Sequence, residues 1–242
     1  MQVVLVLKER PRLAHMDLLR RLRRRLASLS GLLVNINPRR TNVIFGRRFE
    51  TLWGTDKLSA SFMGLNLALP PASFFQVNTE QAERLFGRAL DFIGNRPGKL
   101  ADIYCGTGVT ALLAAERADR VVGIDSDDAA IRAASANARL NGATNTEFMA
   151  GRAEALLPRL VAQGLKPDCI VLDPPRAGCA KEVLEAICSS GCERIAYISC
   201  NPGTLARDLK LLLARGYRLA RLECFDMFPQ TVHVEVLAGL ER

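Results

Sequence analysis

From Lys99 onward, short apolar runs alternate with amphipathic helical stretches, and this alternation restricts the fold more than any other feature of the chain. Strand-like runs fall near residues 99–104, 120–125, 145–149, 168–172 and 194–199, with helical periodicity between them. That is the βαβ signature of an α/β protein, a doubly wound parallel sheet covered on both faces. The last stretch departs from it. Residues 217–227 and 232–240 are consecutive strand-like segments with no helix between them, which predicts that the sheet ends in an antiparallel hairpin.

The part before Lys99 reads differently. A strand near 2–7, a basic helix near 16–29 and strands near 31–37 and 42–46 give a small α+β piece. Turns are expected at Asn37-Pro38-Arg39-Arg40 and Phe45-Gly46-Arg47-Arg48, and more strands follow to about residue 70. Pro70-Pro71 breaks the pattern, and a helical segment runs from Asn78 through Leu85 and Leu90 towards the turn at Asn95-Pro97-Gly98. The boundary is placed near 75, giving a basic α+β domain over 1–75 and a larger α/β domain over 76–242.

Charge separates the same two parts. Residues 1–60 hold thirteen lysines and arginines against four acids, a net of +9, whereas the remainder is nearly neutral at −1. A basic excess confined to one end suggests a polyanion-facing module, because cations beside phosphates gain affinity by releasing condensed counterions. Nucleic acid is the expected partner. The leucines of Leu18-Leu19-Arg20-Arg21-Leu22-Arg23-Arg24-Arg25-Leu26 recur at helical spacing, so the arginines equally read as the solvated outer face of an amphipathic helix.

No apolar run approaches the roughly twenty residues of a membrane span, and Val3–Leu7 lacks the order of charges and the cleavage site of a secretion signal. A cytoplasmic, membrane-free protein acting as a monomer is expected. Seven cysteines at 105, 169, 179, 188, 192, 200 and 224 show no repeated two-residue spacing, which argues against disulfide and zinc frameworks. Most read as small buried hydrophobes.

In open α/β sheets, ligands bind outside the carboxyl ends of the strands. The first such end is Asp102-Ile103-Tyr104-Cys105-Gly106-Thr107-Gly108, where Gly106 and Gly108 allow close backbone approach. Its spacing is neither the dinucleotide fingerprint nor the phosphate loop. The next strand ends at Asp125, where a ribose diol would find a carboxylate acceptor, so an adenosine-type cofactor is expected. The competing reading is that Asp125 only caps the following helix. Another strand ends in Asp173-Pro174-Pro175-Arg176, a rigid edge rich in acceptors. A further one ends in Ser199-Cys200-Asn201-Pro202, which puts a thiol at a helix N-terminus. There the helix and nearby cations, Arg207 among them, are expected to lower the thiol pKa and make Cys200 a nucleophile.

Phe74-Phe75-Gln76-Val77-Asn78, Asp102 to Gly108, Asp173 to Arg176, Ser199 to Asp208 and His233-Val234-Glu235 occur in this order. Together they resemble the RNA 5-methyluridine (uracil-C5) methyltransferases, over about residues 31–242. The resemblance implies a Rossmann-like class I methyltransferase sheet, which the antiparallel ending also suits, and S-adenosyl-L-methionine as cofactor. Carbon 5 of uracil is too weak a nucleophile to take a methyl group directly, so covalent addition must first raise its electron density. The resemblance assigns that addition to Cys200 and the later removal of the C5 proton to Glu235. From sequence alone, Glu235 reads as a surface residue, and His233 is its rival as base.

Carried over by the same resemblance, Gln76, Tyr104, Asp125 and Asp173 contact cofactor or target base, with Gly106 and Gly108 at the cofactor. Phe74, Phe75, Arg176 and Asn201 are expected to hold the flipped uridine. Methyltransferases in general tend to place glycine where Tyr104 stands. Two departures bear on cofactor affinity: Asp125 replaces the Glu of many relatives, and Arg152 falls near a position often held by Asp or Asn. Many relatives also carry an N-terminal barrel and a four-cysteine iron–sulfur cluster. No cysteine precedes Cys105, so no cluster is expected and the chain reads as a fragment or a minimal form. Asn35 to Gly46 looks more like the ribosomal members, which makes 23S rRNA the first expectation and tRNA the alternative. Two rival functions remain, an amino-group methyltransferase and a non-catalytic RNA-binding relative.

Overall fold

The computed structural model describes residues 1–11, 13–39, 43–46, 48–95 and 97–242. The chain divides into two compact units, Met1–Ala60 with Leu67–Ser73, and Ser61–Asn66 with Phe74–Arg242.

In the first unit, β1 (Gln2–Leu7) leads through α1 (Leu13–Arg25) into β2 (Gly31–Ile36), which lies parallel to β1. Strand β3 (Arg48–Gly54) pairs antiparallel with β2, giving the order β1-β2-β3. Helix α1 starts three residues earlier and stops four earlier than its leucine spacing predicts. Leu19 is buried, and Met16, Leu22 and Leu26 pack beside it with Val3, Leu5, Leu32, Leu52 and Trp53. Arg20, Arg21, Arg24 and Arg25 are exposed, and the Arg23 guanidinium lies over the Trp53 ring at 4.6 Å.

Of the strand expected near 42–46, residue 42 lies outside the described residues, and the described part, 43–46, forms no strand. Residues 43–46 are irregular because two asparagine side chains hold their backbone. Asn35 Nδ2 donates to the Gly46 carbonyl, Gly46 N–H donates back to Asn35 Oδ1 at 2.6 Å, and Asn37 Nδ2 donates to the carbonyls of Val43 and Ile44. The carbonyls of Val43, Ile44 and Gly46 and the Gly46 amide are thus partnered by side chains, and the β-strand lies later, at β3. Arg40 and Arg47, in the two expected turns, and Arg96, in the turn after α2, lie outside the described residues. Strands β4 (Leu58–Phe62) and β5 (Leu65–Leu69) form a two-stranded sheet, and the division between the units runs through it. Met63 and Gly64 both have positive φ, as a two-residue hairpin turn requires.

The second unit continues with α2 (Thr79–Ile93), β6 (Lys99–Ile103), α3 (Val109–Ala115), β7 (Arg120–Asp125), α4 (Asp128–Leu140), β8 (Thr146–Ala150), α5 (Ala153–Ala162), β9 (Cys169–Leu172), α6 (Lys181–Ser190), β10 (Arg194–Ser199), α7 (Pro202–Ala214), β11 (Arg218–Phe225) and β12 (Glu235–Glu241). The sheet order is β11-β12-β10-β9-β6-β7-β8. Strands β6 to β10 are mutually parallel, and β12 runs antiparallel to both β10 and β11. The predicted alternation and the antiparallel ending are both present, and it is the second strand of the hairpin that meets β10.

The central strands are largely apolar, as burial on both faces demands, with Asp102 of β6 the buried carboxyl among them. One face, with Ile103, Ile124, Leu172 and Tyr197, packs on Leu157 of α5, Ile187 of α6 and Leu205 and Leu212 of α7. Helix α2 covers β10 and β12 on the other face, where Phe92 lies so close to Gly239 that a Cβ there would sit 2.6 Å from its ring. The order reverses between β6 and β9, which opens a crevice at their carboxyl ends. Among the described residues no helix is long and apolar enough to cross a membrane.

Candidate active site

Beyond β6 the chain turns sharply. Tyr104 has φ 71°, a left-handed conformation in which a tyrosine is strained, and its N–H and that of Cys105 both donate to the Ile124 carbonyl. Gly106 N–H donates to Asp125 Oδ2 at 2.9 Å, and the other oxygen of Asp125 accepts from Asp127 N–H. Asp125 is therefore not the helix cap. Asp127 is, accepting from Ala129 N–H. A carboxylate has about four acceptor sites, so Asp125 keeps free lone pairs for a ligand.

The two glycines differ in surroundings. A Cβ on Gly108, at φ 85°, would lie 2.9 Å from Ala134 Cβ, whereas one on Gly106 would meet nothing within 4 Å. The loop is packed on one side and open on the other. Two further buried acceptors lack a partner among the described residues, Asp102 Oδ2 near the end of β6 and Gln76 Oε1 in the segment before α2. Burial first, and the Asp173 charge second, push Asp102 up to about 8. Arg152 ion-pairs with Glu154 at the start of α5.

At another strand end, Cys200 joins β10 to α7. Asn201 Oδ1 caps α7 by accepting from Gly203 N–H, and Pro202 occupies its first turn. Asn201 Nδ2 and Thr204 Oγ1 both donate to the Arg176 carbonyl, at 3.1 and 3.2 Å. The start of α7 is thereby tied to the segment after β9. The antiparallel register pairs Ser199 with Val236, so Glu235, one residue before Val236, stands across from Cys200. Asp173 follows Leu172, which pairs with Tyr197 two residues before Ser199. Cys200, Glu235, Asp173, Arg176 and Asn201 converge at one end of the sheet. Phe75 packs edge-on against Phe62 at 5.4 Å, whereas Phe74 is 74% exposed.

Burial raises Glu235 to about 7, with Arg176 opposing. Asp173 is raised to about 7 by burial and then by the Glu235 charge. The Cys200 thiol is also raised, by burial first and Glu235 second, with Asp173 adding and Arg176 opposing. This overturns the expected lowering of that thiol. It also moves the opposing cation from Arg207 to Arg176, because the Arg207 guanidinium is spent on Asp208 and on the carbonyls of Ala177 and Cys179.

A model of the tRNA (uracil-5-)-methyltransferase family matches residues 55–242. The chain belongs to this family. Two curated relatives are uncharacterised RNA methyltransferases, of Listeria innocua, 42% identical over 88% of this chain, and of Clostridium tetani, 38% identical over 97%. The chain spans about half the length of each, 47% and 51%. Among solved structures it is similar to the Pyrococcus abyssi tRNA (uracil-54, C5)-methyltransferase in complex with S-adenosyl-L-homocysteine. That structure is 29% identical with a TM-score of 0.79, and the match covers 99% of this chain and 56% of that one.

Two groups escaped the sequence reading as site or support residues. Asp102 lay inside a quoted motif but looked like one more strand residue, and only its buried, unpartnered oxygen singles it out. Asp208 is 1% exposed and accepts from Tyr197 Oη at 2.7 Å and Cys179 N–H at 2.8 Å, besides Arg207. The sequence reading assigns a role only to Arg207, as a cation near the Cys200 thiol, whereas in the structure Arg207 is paired with Asp208.

Proposed function

We propose that the chain carries the methyl-transfer site of an RNA uracil-5 methyltransferase. The observation that carries this is the β10–β12 register, which supports Cys200 and Glu235 as a pair acting on one pyrimidine. Gln76, Asp102, Asp125, Gly106 and Gly108 fit S-adenosyl-L-methionine. They offer two unpartnered buried acceptors for its polar atoms, a carboxylate with spare lone pairs for its ribose and a loop open on one side. When bound, S-adenosyl-L-methionine supplies an electrophilic methyl group.

The uridine has to leave its stack to enter the site, and exposed Phe74 suits stacking on the flipped base. Cys200 thiolate adds to C6, forming an S–C6 bond and pushing the C5–C6 π electrons into an enolate. Its C5 takes the methyl group. Glu235 carboxylate then removes the remaining C5 proton, the S–C6 bond breaks, the C5–C6 double bond returns and Cys200 leaves as thiolate. A carboxyl group titrating near 7 suits this work, since a base is most effective close to the operating pH. Arg176 and the α7 N-terminus favour the thiolate against the two carboxylates.

Two RNA substrates compete. The Asn35 to Gly46 segment favours 23S rRNA, whereas the likeness to a tRNA uracil-54 enzyme favours tRNA. The test is incubation with S-adenosyl-L-methionine and either 23S rRNA or tRNA transcripts containing 5-fluorouridine, whose fluorine blocks the final elimination. A denaturing gel and peptide mass spectrometry are expected to find an RNA adduct on Cys200 with one of the two. A Cys200→Ala variant that still methylates would overturn the mechanism.

A further inference from the structure

Glu235 and Cys200 act on charge, and one hydrogen bond outside the pair governs the cation beside them. Arg176 Nη2 lies 2.8 Å from His233 Nδ1. A guanidinium can only donate, so Nδ1 is the acceptor of this hydrogen bond. The imidazole is itself fixed. Phe228 meets it edge-on with ring centroids 6.2 Å apart, and His233 N–H donates to Thr231 Oγ1, whose hydroxyl donates to the Phe228 carbonyl. The Arg176 backbone is held independently, through Asn201 and Thr204. Only its side chain needs the histidine.

We propose that His233 is a positioning residue, which through Nδ1 holds the Arg176 guanidinium beside Cys200 and Glu235. The inference rests on the proposed roles of those two residues. It explains why a histidine stands two residues before Glu235. His233 is exposed in the irregular segment before β12 and Glu235 is the first residue of β12, the histidine meeting the cation and the glutamate standing across from the thiol. His233 is thereby a support for the site and not a second base. The charged groups around the thiol are Glu235, Asp173 and Arg176, and only Arg176 among them favours the thiolate.

The test reads the thiol without RNA. Iodoacetamide alkylation of Cys200 is followed against pH by peptide mass spectrometry, with exposed Cys224 changed to Ser. Arg176→Gln is expected to move the half-point up by about one pH unit, the effect of losing a nearby opposite charge. His233→Ala is expected to move it up by a smaller amount, and His233→Asn, which keeps an acceptor, to restore most of the difference. On the Arg176→Gln background, His233→Ala is expected to add nothing. An unmoved half-point in His233→Ala, or an equal movement on both backgrounds, overturns the proposal. Absence of a 5-fluorouridine adduct in the unsubstituted protein, with the alkylation pattern as expected, would overturn the methyl-transfer reading alone.

Discussion

Glu235 opens β12 with its carboxyl group buried, yet nothing in its own segment, Val234-Glu235-Val236, separates it from a strand residue facing solvent. Its proposed role rests on resemblance, and its environment became legible only through the register with β10. Above pH 4.5 it ionises in the unfolded chain, whereas in the folded protein it stays protonated up to about 7. The folded state therefore binds more protons between those values, and its stability declines as pH rises through 7. Glu235→Gln removes that penalty. At pH 8 the variant is expected to be more stable to urea by about 3 kcal/mol, with the gain vanishing near pH 4. The same variant is expected to accumulate the Cys200–RNA adduct with unmodified RNA, because addition and methylation precede proton removal. In the unsubstituted enzyme, lowering the pH from 8 to 6 acts in the same direction, slowing product release through Glu235 protonation. Quenched-flow measurement of adduct against free product checks both. Cys200 taught the opposite lesson. Its place at a helix N-terminus was readable, but the two carboxylates that raise its pKa come from β9 and β12, far away in sequence.

Between elements, the segment after β9 and helix α7 form one body. Asp208 reaches back to Cys179 N–H and Tyr197 Oη, Arg207 reaches the carbonyls of Ala177 and Cys179, and Gly178 leaves no room for a Cβ, which would lie 2.6 Å from Asp208 Oδ2. This clamp fixes Arg176 relative to Cys200 without either of its charged residues entering the site. Asp208→Ala leaves a buried hydroxyl and amide unpaired and frees Arg207. The expected cost is about 3 kcal/mol, which for a chain of this length lowers the melting temperature by roughly 6–12 °C. Calorimetry reads the loss. A melting temperature within 2 °C of the parent would show the clamp to be dispensable. The parallel strands were legible because their burial on both faces makes each a continuous apolar run. The strand expected near 42–46 failed because hydrogen bonding by Asn35 and Asn37 is invisible to hydrophobic periodicity.

At the scale of the whole chain, charge is divided as sharply as structure, with the net +9 of residues 1–60 set against near-neutrality elsewhere. Two readings of the α1 arginines stood open from sequence, and the fold satisfies both: Leu19 and its neighbours pack inward, while Arg20, Arg24 and Arg25 are exposed. What separates the readings is whether these cations meet phosphate. A contact with RNA backbone releases counterions, and each one lost lowers the slope of log affinity against log salt by about 0.7 to 0.9. The variant with Arg20, Arg24 and Arg25 changed to Gln is expected to fold normally, since none of the three packs in the core. Its RNA affinity is expected to fall at low salt, and its salt slope to flatten by about 2 if all three meet phosphate. Binding of S-adenosyl-L-methionine is expected to be unchanged. Fluorescence anisotropy between 50 and 200 mM salt measures both affinity and slope. If neither changes, the arginines only solvate the helix, and the polyanion-facing surface must be sought among the other cations of residues 1–60, Arg39 and Arg48 first.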